Sequence, residues 1–185
     1  RVRNHFFASL STAEAVADNA QRFLADFAEY RAANARGAAG NGAWVIDLST
    51  RRWNAEALGR RLAAQGITVL RREGTASACG RSYSRGYLAV PQAQPAARLA
   101  RSLLDRDTPL PRDFLREQER RRAKDLPHEL YDVTAWSVGL MSGVDVELCG
   151  AAGGDPLAPD APIAPLAEGS GDFAVAVPWT DSGQA

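Results

Sequence analysis

The chain has 185 residues, 45% apolar and 24% charged, which suits a soluble domain of medium size with a sizeable core. Its 22 basic and 22 acidic residues cancel, so net charge gives no reason to expect a nucleic acid or an anionic membrane as partner. No apolar run approaches the ~20 residues that a spanning helix needs.

The chain begins "RVRNHFF", without Met and without a signal-peptide pattern, so its natural beginning is expected to lie elsewhere. The first predicted element is a helix over about 12–34. Ser11 and Glu14 have the spacing of a capping box. Ala20, Phe23, Phe27 and Tyr30 recur on one face, with Val16 one turn earlier. Residues 1–36 are read as a helical lead-in from an upstream domain.

Residues 37–149 are expected to form an α/β domain. "AWVIDLS" reads as a buried strand. "RRWNAEALGRRLAAQG" reads as a helix with Trp53, Ala57, Leu58 and Leu62 on one side and Gly66 at its end. "ITVLRR" resumes as a strand, and strand, helix, strand is the rhythm of a parallel sheet with a crossover helix. Residues 72–85, rich in Gly and Ser, read as a loop or an irregular hairpin. "GYLAVPQ" is the third strand, ended by Pro91.

Pro95 suits the first turn of a helix through "PAARLARSLLDR", with Leu99, Leu103 and Leu104 as its buried stripe. A second helix runs from near Arg112 to about Leu126. A third, "VTAWSVGLM", has Asp132 as its cap, Val133, Trp136 and Leu140 on one face, and Gly143 as its stop. "VDVELC" alternates Val144, Val146 and Leu148 with Asp145 and Glu147, a strand with one covered face or an edge position. Residues 150–171 read as a Gly/Pro/Ala-rich loop or linker, and 172–185 as a strand returning to the sheet, followed by a cut tail. The expected fold is a mostly parallel open α/β sheet with covering helices, flavodoxin-like or class I glutamine amidotransferase-like, incomplete at both ends.

Residue types leave little room for a complete active site. The histidines are His5 and His128 and the cysteines Cys79 and Cys149, with no CxxC, HxxE or HExxH spacing. GxSxG, GxGxxG and the P-loop pattern do not occur. No catalytic, cofactor-binding or metal-binding residue is therefore assigned. Asp47 stands near the end of the first strand, where doubly wound sheets bind ligands, or else caps the next turn or pairs with Arg51 or Arg52. Cys79, beside Arg81, is either an activated thiol or an ordinary loop thiol. A disulfide between Cys79 and Cys149 stays open at this point, and compartment with it.

The run from residue 112 to 124 holds six positive and three negative charges. Asp113, Glu117 and Glu119 interleave with the arginines, and Glu117 and Arg121 stand four apart. Tyr131 and Trp136 lie beyond Pro127, so this stretch reads as a solvated helix and not as a nucleic-acid arm.

"RGYLAVPQAQPAARLARSLLDRDTP" (85–109) and "FLREQERRRAKDLPHELYDVTAWSVGLMSGVDVEL" (114–148) resemble the region downstream of the catalytic domain in large bacterial zinc carboxypeptidase-like proteins of the M14 peptidase class, with "YDVTAW" the most specific part. "RVRNHFFASL" and "FLADFAEYR" resemble the passage leading out of the peptidase domain, and "FAVAVPW" a later strand. The resemblance implies a glutamine amidotransferase-like α/β portion without an evident triad. It places zinc, its ligands and the catalytic Glu in an upstream peptidase domain, with no cofactor in this chain.

The function so implied is that of a non-catalytic accessory domain supporting or orienting the peptidase domain, in a parent that acts on peptides and is periplasmic or secreted. Two other readings are an amidotransferase-like or hydrolase-like enzyme built on Asp47, Cys79 or His128, and a module binding peptide or cell-wall material through Trp44, Trp53, Trp136 or Trp179.

Overall fold

The chain opens with two consecutive helices, α1 (Val2–Asp18) and α2 (Ala20–Ala35), together about 50 Å of helix at 1.5 Å per residue. Asn19 interrupts them. The structure is a computed structural model that describes residues 2–106, 110–127, 129 and 137–163. The predicted start at residue 12 is too late: Ser11 and Glu14 lie inside α1, and Thr12 Oγ1 donates to Ala8 O at 2.8 Å. The helix holds because its first 18 residues include neither Gly nor Pro. α2 stops at Gly37, whose φ of +90° favours glycine.

The remaining elements are β1 (Ala43–Asp47), α3 (Arg52–Ala64), β2 (Leu70–Arg72), β3 (Ala76–Ala78), β4 (Arg81–Tyr83), β5 (Tyr87–Pro91), α4 (Ala97–Leu104), α5 (Arg112–Ala123), α6 (Val138–Met141), β6 (Val146–Cys149) and β7 (Asp155–Pro156). The main sheet has the order β6-β1-β5-β2-β7, and every neighbouring pair in it is antiparallel.

The expected mostly parallel α/β sheet, and with it the flavodoxin-like and amidotransferase-like arrangements, is therefore incorrect. The reason is local. β1 and β2 do run the same way, as a crossover through α3 requires, but β5 lies between them and is antiparallel to both. The sequence β1-α3-β2-β5-α4-β6 in the spatial order 6-1-5-2 is the split βαβ arrangement of ferredoxin-like α+β folds.

β1 and β5 read as unbroken apolar runs because both of their faces are covered, by different layers. Trp44, Ile46, Leu88 and Val90 face the helices and pack with Leu58 and Leu62 of α3 and Ala100 and Leu104 of α4. Ala43, Val45, Tyr87 and Ala89 face the other way, with Tyr83 of the β3–β4 hairpin packed on them. α3 comes close to β5 at Gly59, where a Cβ would collide with Leu88. On α4 the buried stripe is Ala97, Ala100 and Leu104, while predicted Leu99 is exposed.

Part of the expected linker belongs to the sheet. β7 pairs with β2, and Leu157 N donates to Val69 O at 2.9 Å. β6 is the opposite outer strand among the described residues; Val144 and Val146 are buried as the alternation predicts, but Leu148, expected on the same covered side, is exposed. Gly143 ends α6 with φ of +64°, and Ser137 Oγ accepts from Leu140 N. The proposed cap Asp132, its companions Val133 and Trp136, and the strand at 172–179 lie outside the described residues.

Cys79, at the tip of the hairpin, is bonded to Cys149 at the end of β6, with Cα atoms 5.3 Å apart and a sequence separation of 70. Closing a loop of that length removes enough chain entropy to stabilise a fold by about 4 kcal/mol. Replacing both cysteines by serine should lower unfolding stability by roughly 2–4 kcal/mol in denaturant titrations. An unchanged midpoint would contradict the assignment of this bond as a major tether.

Candidate functional site

The β1–β6 register pairs Ile46 with Val146, which sets Asp47 beside Asp145, and Asp47 N donates to Asp145 O at 3.3 Å. The β3–β4 hairpin brings Arg81 to this corner. Its Nη2 lies 2.9 Å from Asp145 Oδ2 and 3.5 Å from Asp47 Oδ2, and its Nη1 lies 3.8 Å from Glu147 Oε2. Arg106 approaches Asp145 from α4's end at 4.0 Å.

One guanidinium thus serves three carboxylates. The hydrogen bond that Arg81 donates to Asp145 is the main cause that raises its pKa above the ordinary value, against a smaller desolvation effect. The Arg81 side chain is 43% exposed, so each pair contributes little by itself. Their joint effect is to orient Arg81 over the corner between β1 and β6.

Tyr83 is 1% exposed and meets Tyr87 edge to face with ring centroids 5.5 Å apart. The Arg81 guanidinium lies 4.8 Å from its ring centroid. Tyr83 Oη is buried without a well-formed hydrogen bond. Burial pushes the phenol's pKa up, with Arg81 partly opposing the shift.

Asp47 fills the structural role weighed for it: its Oδ1 accepts from Ser49 N at 2.7 Å, closing the turn after β1. Its ion-pair partner is Arg81, not Arg51 or Arg52. Arg52 is engaged by the buried Glu56 at 2.8 Å, which Arg71 also contacts at 2.9 Å, joining α3 to β2. Cys79 is a disulfide sulfur and not an activated thiol. His128 lies outside the described residues.

Among the tryptophans, Trp44 is buried and its Nε1 donates to Asp105 Oδ1 at 2.9 Å, a core role. Trp53 is half-buried beside a cleft of about 300 Å³ between α3 and α6, with Arg61, Val138 and Met141. Trp136 and Trp179 lie outside the described residues. His5 sits exposed on α1. No group of three or more His, Cys, Asp or Glu among the described residues could hold a metal ion. No described helix is long and apolar enough to cross a membrane.

On α5 three arginines pair with acids of the same helix or of the segment just after it. Arg120 binds Glu117 through two bonds of 2.7 and 2.6 Å, Arg116 pairs with Asp113, and Arg121 reaches Glu129 at 3.1 Å. Arg120 is the main cause that holds the Glu117 carboxyl below its usual range. Gln118 is buried, its Oε1 accepting from Glu129 N at 2.9 Å.

Comparison with protein-family models, with curated proteins and with solved structures gives no match.

The raised Tyr83 pKa has a sign that can be checked. Because the native phenol holds its proton above the unfolded value near 10.0, its contribution is fully present below that pH and is lost as pH rises through the native value. Denaturant midpoints should therefore fall above about pH 10 in the native chain, and Tyr83→Phe should remove that part of the fall. At pH 7 the same variant should be neutral or slightly stabilising, since it deletes a buried hydroxyl without a good partner. Loss of more than about 1 kcal/mol at pH 7 would show that Oη is satisfied.

Proposed function

We propose that this chain is a non-catalytic α+β accessory domain of a zinc carboxypeptidase-like protein of the M14 class, which supports and orients the peptidase domain. The observation that carries the reading is the apolar face of α1 and α2. Phe6, Leu10, Val16, Phe23, Leu24 and Phe27 are all exposed, and α1 buries none of its residues against the described part of the chain.

A face of this kind calls for a partner surface. Its C-terminal end is anchored on the domain, where the Arg98 guanidinium lies 5.0 Å from the Tyr30 ring centroid and Asn34 is buried. The resemblance of "RVRNHFFASL" and "FLADFAEYR" to the passage leading out of a peptidase domain supplies the occupant: the upstream peptidase domain in cis. Zinc, its ligands and peptide hydrolysis belong in this reading to that domain. The Cys79–Cys149 bond supports an exported parent, since such bonds persist in oxidising compartments.

The test uses the parent protein. Phe23→Glu and Phe27→Glu, both on exposed positions, should leave the α+β unit folded by circular dichroism yet uncouple its thermal unfolding from that of the peptidase domain. Affinity between the separated halves should weaken about tenfold or more. Zinc-supplemented turnover of peptides with free C-termini by this chain alone should be undetectable. Turnover abolished by chelation, or coupling untouched by both substitutions, would end the proposal.

A further inference from the structure

We propose that residues 74–86 form a flap latched by the Cys79–Cys149 disulfide, which a dithiol reductant opens to bare the sheet face beneath. The hairpin forms no ladder with the main sheet: β3 and β4 pair only with each other. Glycines stand at both of its bases, Gly74 with φ of +70° and Gly86 with φ of +80°. Glycine takes such a φ without strain, and Gly74, with open space around it, can act as the hinge, while Gly86 stays held close against Arg72.

The other attachments are weak for identifiable reasons. Arg81's pairs with Asp145 and Glu147 join side chains that are each over 40% exposed, and its pair with the less exposed Asp47 is long at 3.5 Å. β3 offers the sheet face only the small side chains of Ala76 and Ala78. Tyr83 is the one large anchor, and its buried Oη would gain water on opening. An isolated two-stranded hairpin is itself marginal in water. Once the covalent bond is gone, little else among the described residues fixes the flap.

Both sulfurs belong to partly exposed residues, within reach of a reductant. A thiolate of the dithiol attacks one sulfur and forms a mixed disulfide. Its second thiol then displaces the remaining protein sulfur, leaving Cys79 and Cys149 as thiols and the reductant as a cyclic disulfide. Two electrons and two protons pass to the protein. The face so uncovered carries Ala43, Val45, Tyr87 and Ala89, flat and apolar.

The oxidised chain would be treated with dithiothreitol at neutral pH, followed by tyrosine nitration and hydrogen exchange read by mass spectrometry. Nitration of Tyr83 and exchange over 76–83 should rise about tenfold or more, while amides of β1, β5 and α3 stay protected. The Cys79→Ser/Cys149→Ser double variant, folded by circular dichroism, should show the same pattern without reductant. Three results would overturn the latch: reduction with Tyr83 still unreactive, simultaneous exposure of Tyr83 and the core strands, or a bond that yields only when the whole chain unfolds.

Discussion

The position of β5 sets the rest of the structure. By inserting between β1 and β2 it makes every neighbouring pair in the main sheet antiparallel, and it leaves the connection through α3 on one side only. α3 and α4 then share that side, and among the described residues no crossover helix covers the sheet's second face. In a parallel α/β fold both faces would be clad by helices. Here the second face is apolar but is met by a short hairpin, so the two covers are very unequal in strength.

Polar groups at the junctions are spent on holding this arrangement. Gln94, nearly buried after β5, accepts from Thr68 N at 2.7 Å and donates to Pro91 O at 2.6 Å, fastening the entry to β2 onto the exit from β5. Gln92 Oε1 accepts from Gly42 N at 3.0 Å at the start of β1. Buried Glu56, paired with Arg52 and Arg71, fixes α3 over the same strands. These contacts all concern the central three strands. The hairpin takes part in none of them.

Much of the element content was legible in the sequence, because it follows from local rules. The apolar runs of β1 and β5, the α3 stripe of Ala57, Leu58 and Leu62, and the Gly143 stop were all readable from spacing. Strand order was not, since β1-α3-β2 gives the same local pattern whether or not a later strand slides between the two. Helix α1 was started too late because Ser11 and Glu14 mimic a cap in the middle of a helix that continues through them. The Arg81 cluster had no linear signature: its members come from β1, β4 and β6, and only the fold assembles them. The alternating acids of "VDVEL" are the one visible trace, and alternation by itself marks only a strand with one covered face or an edge position.

The disulfide follows from the same inequality. A face covered by alanines and one tyrosine gains far less apolar burial than the helix-covered face opposite, where Trp44, Ile46, Leu58 and Leu88 meet. The hairpin's ion pairs sit in solvent and its largest anchor carries an ill-paired hydroxyl, so cohesion from side chains alone is small. A covalent tie placed at the tip, beside the solvent-exposed pairs of Arg81, constrains the hairpin at the end farthest from its connections to β2 and β5. It also spans a sequence separation of 70 and joins the tip to β6, the last strand to enter the ferredoxin-like core, so one bond secures both the cover and the edge. The weak layer and the strong bond are therefore two aspects of the topology that β5 imposes.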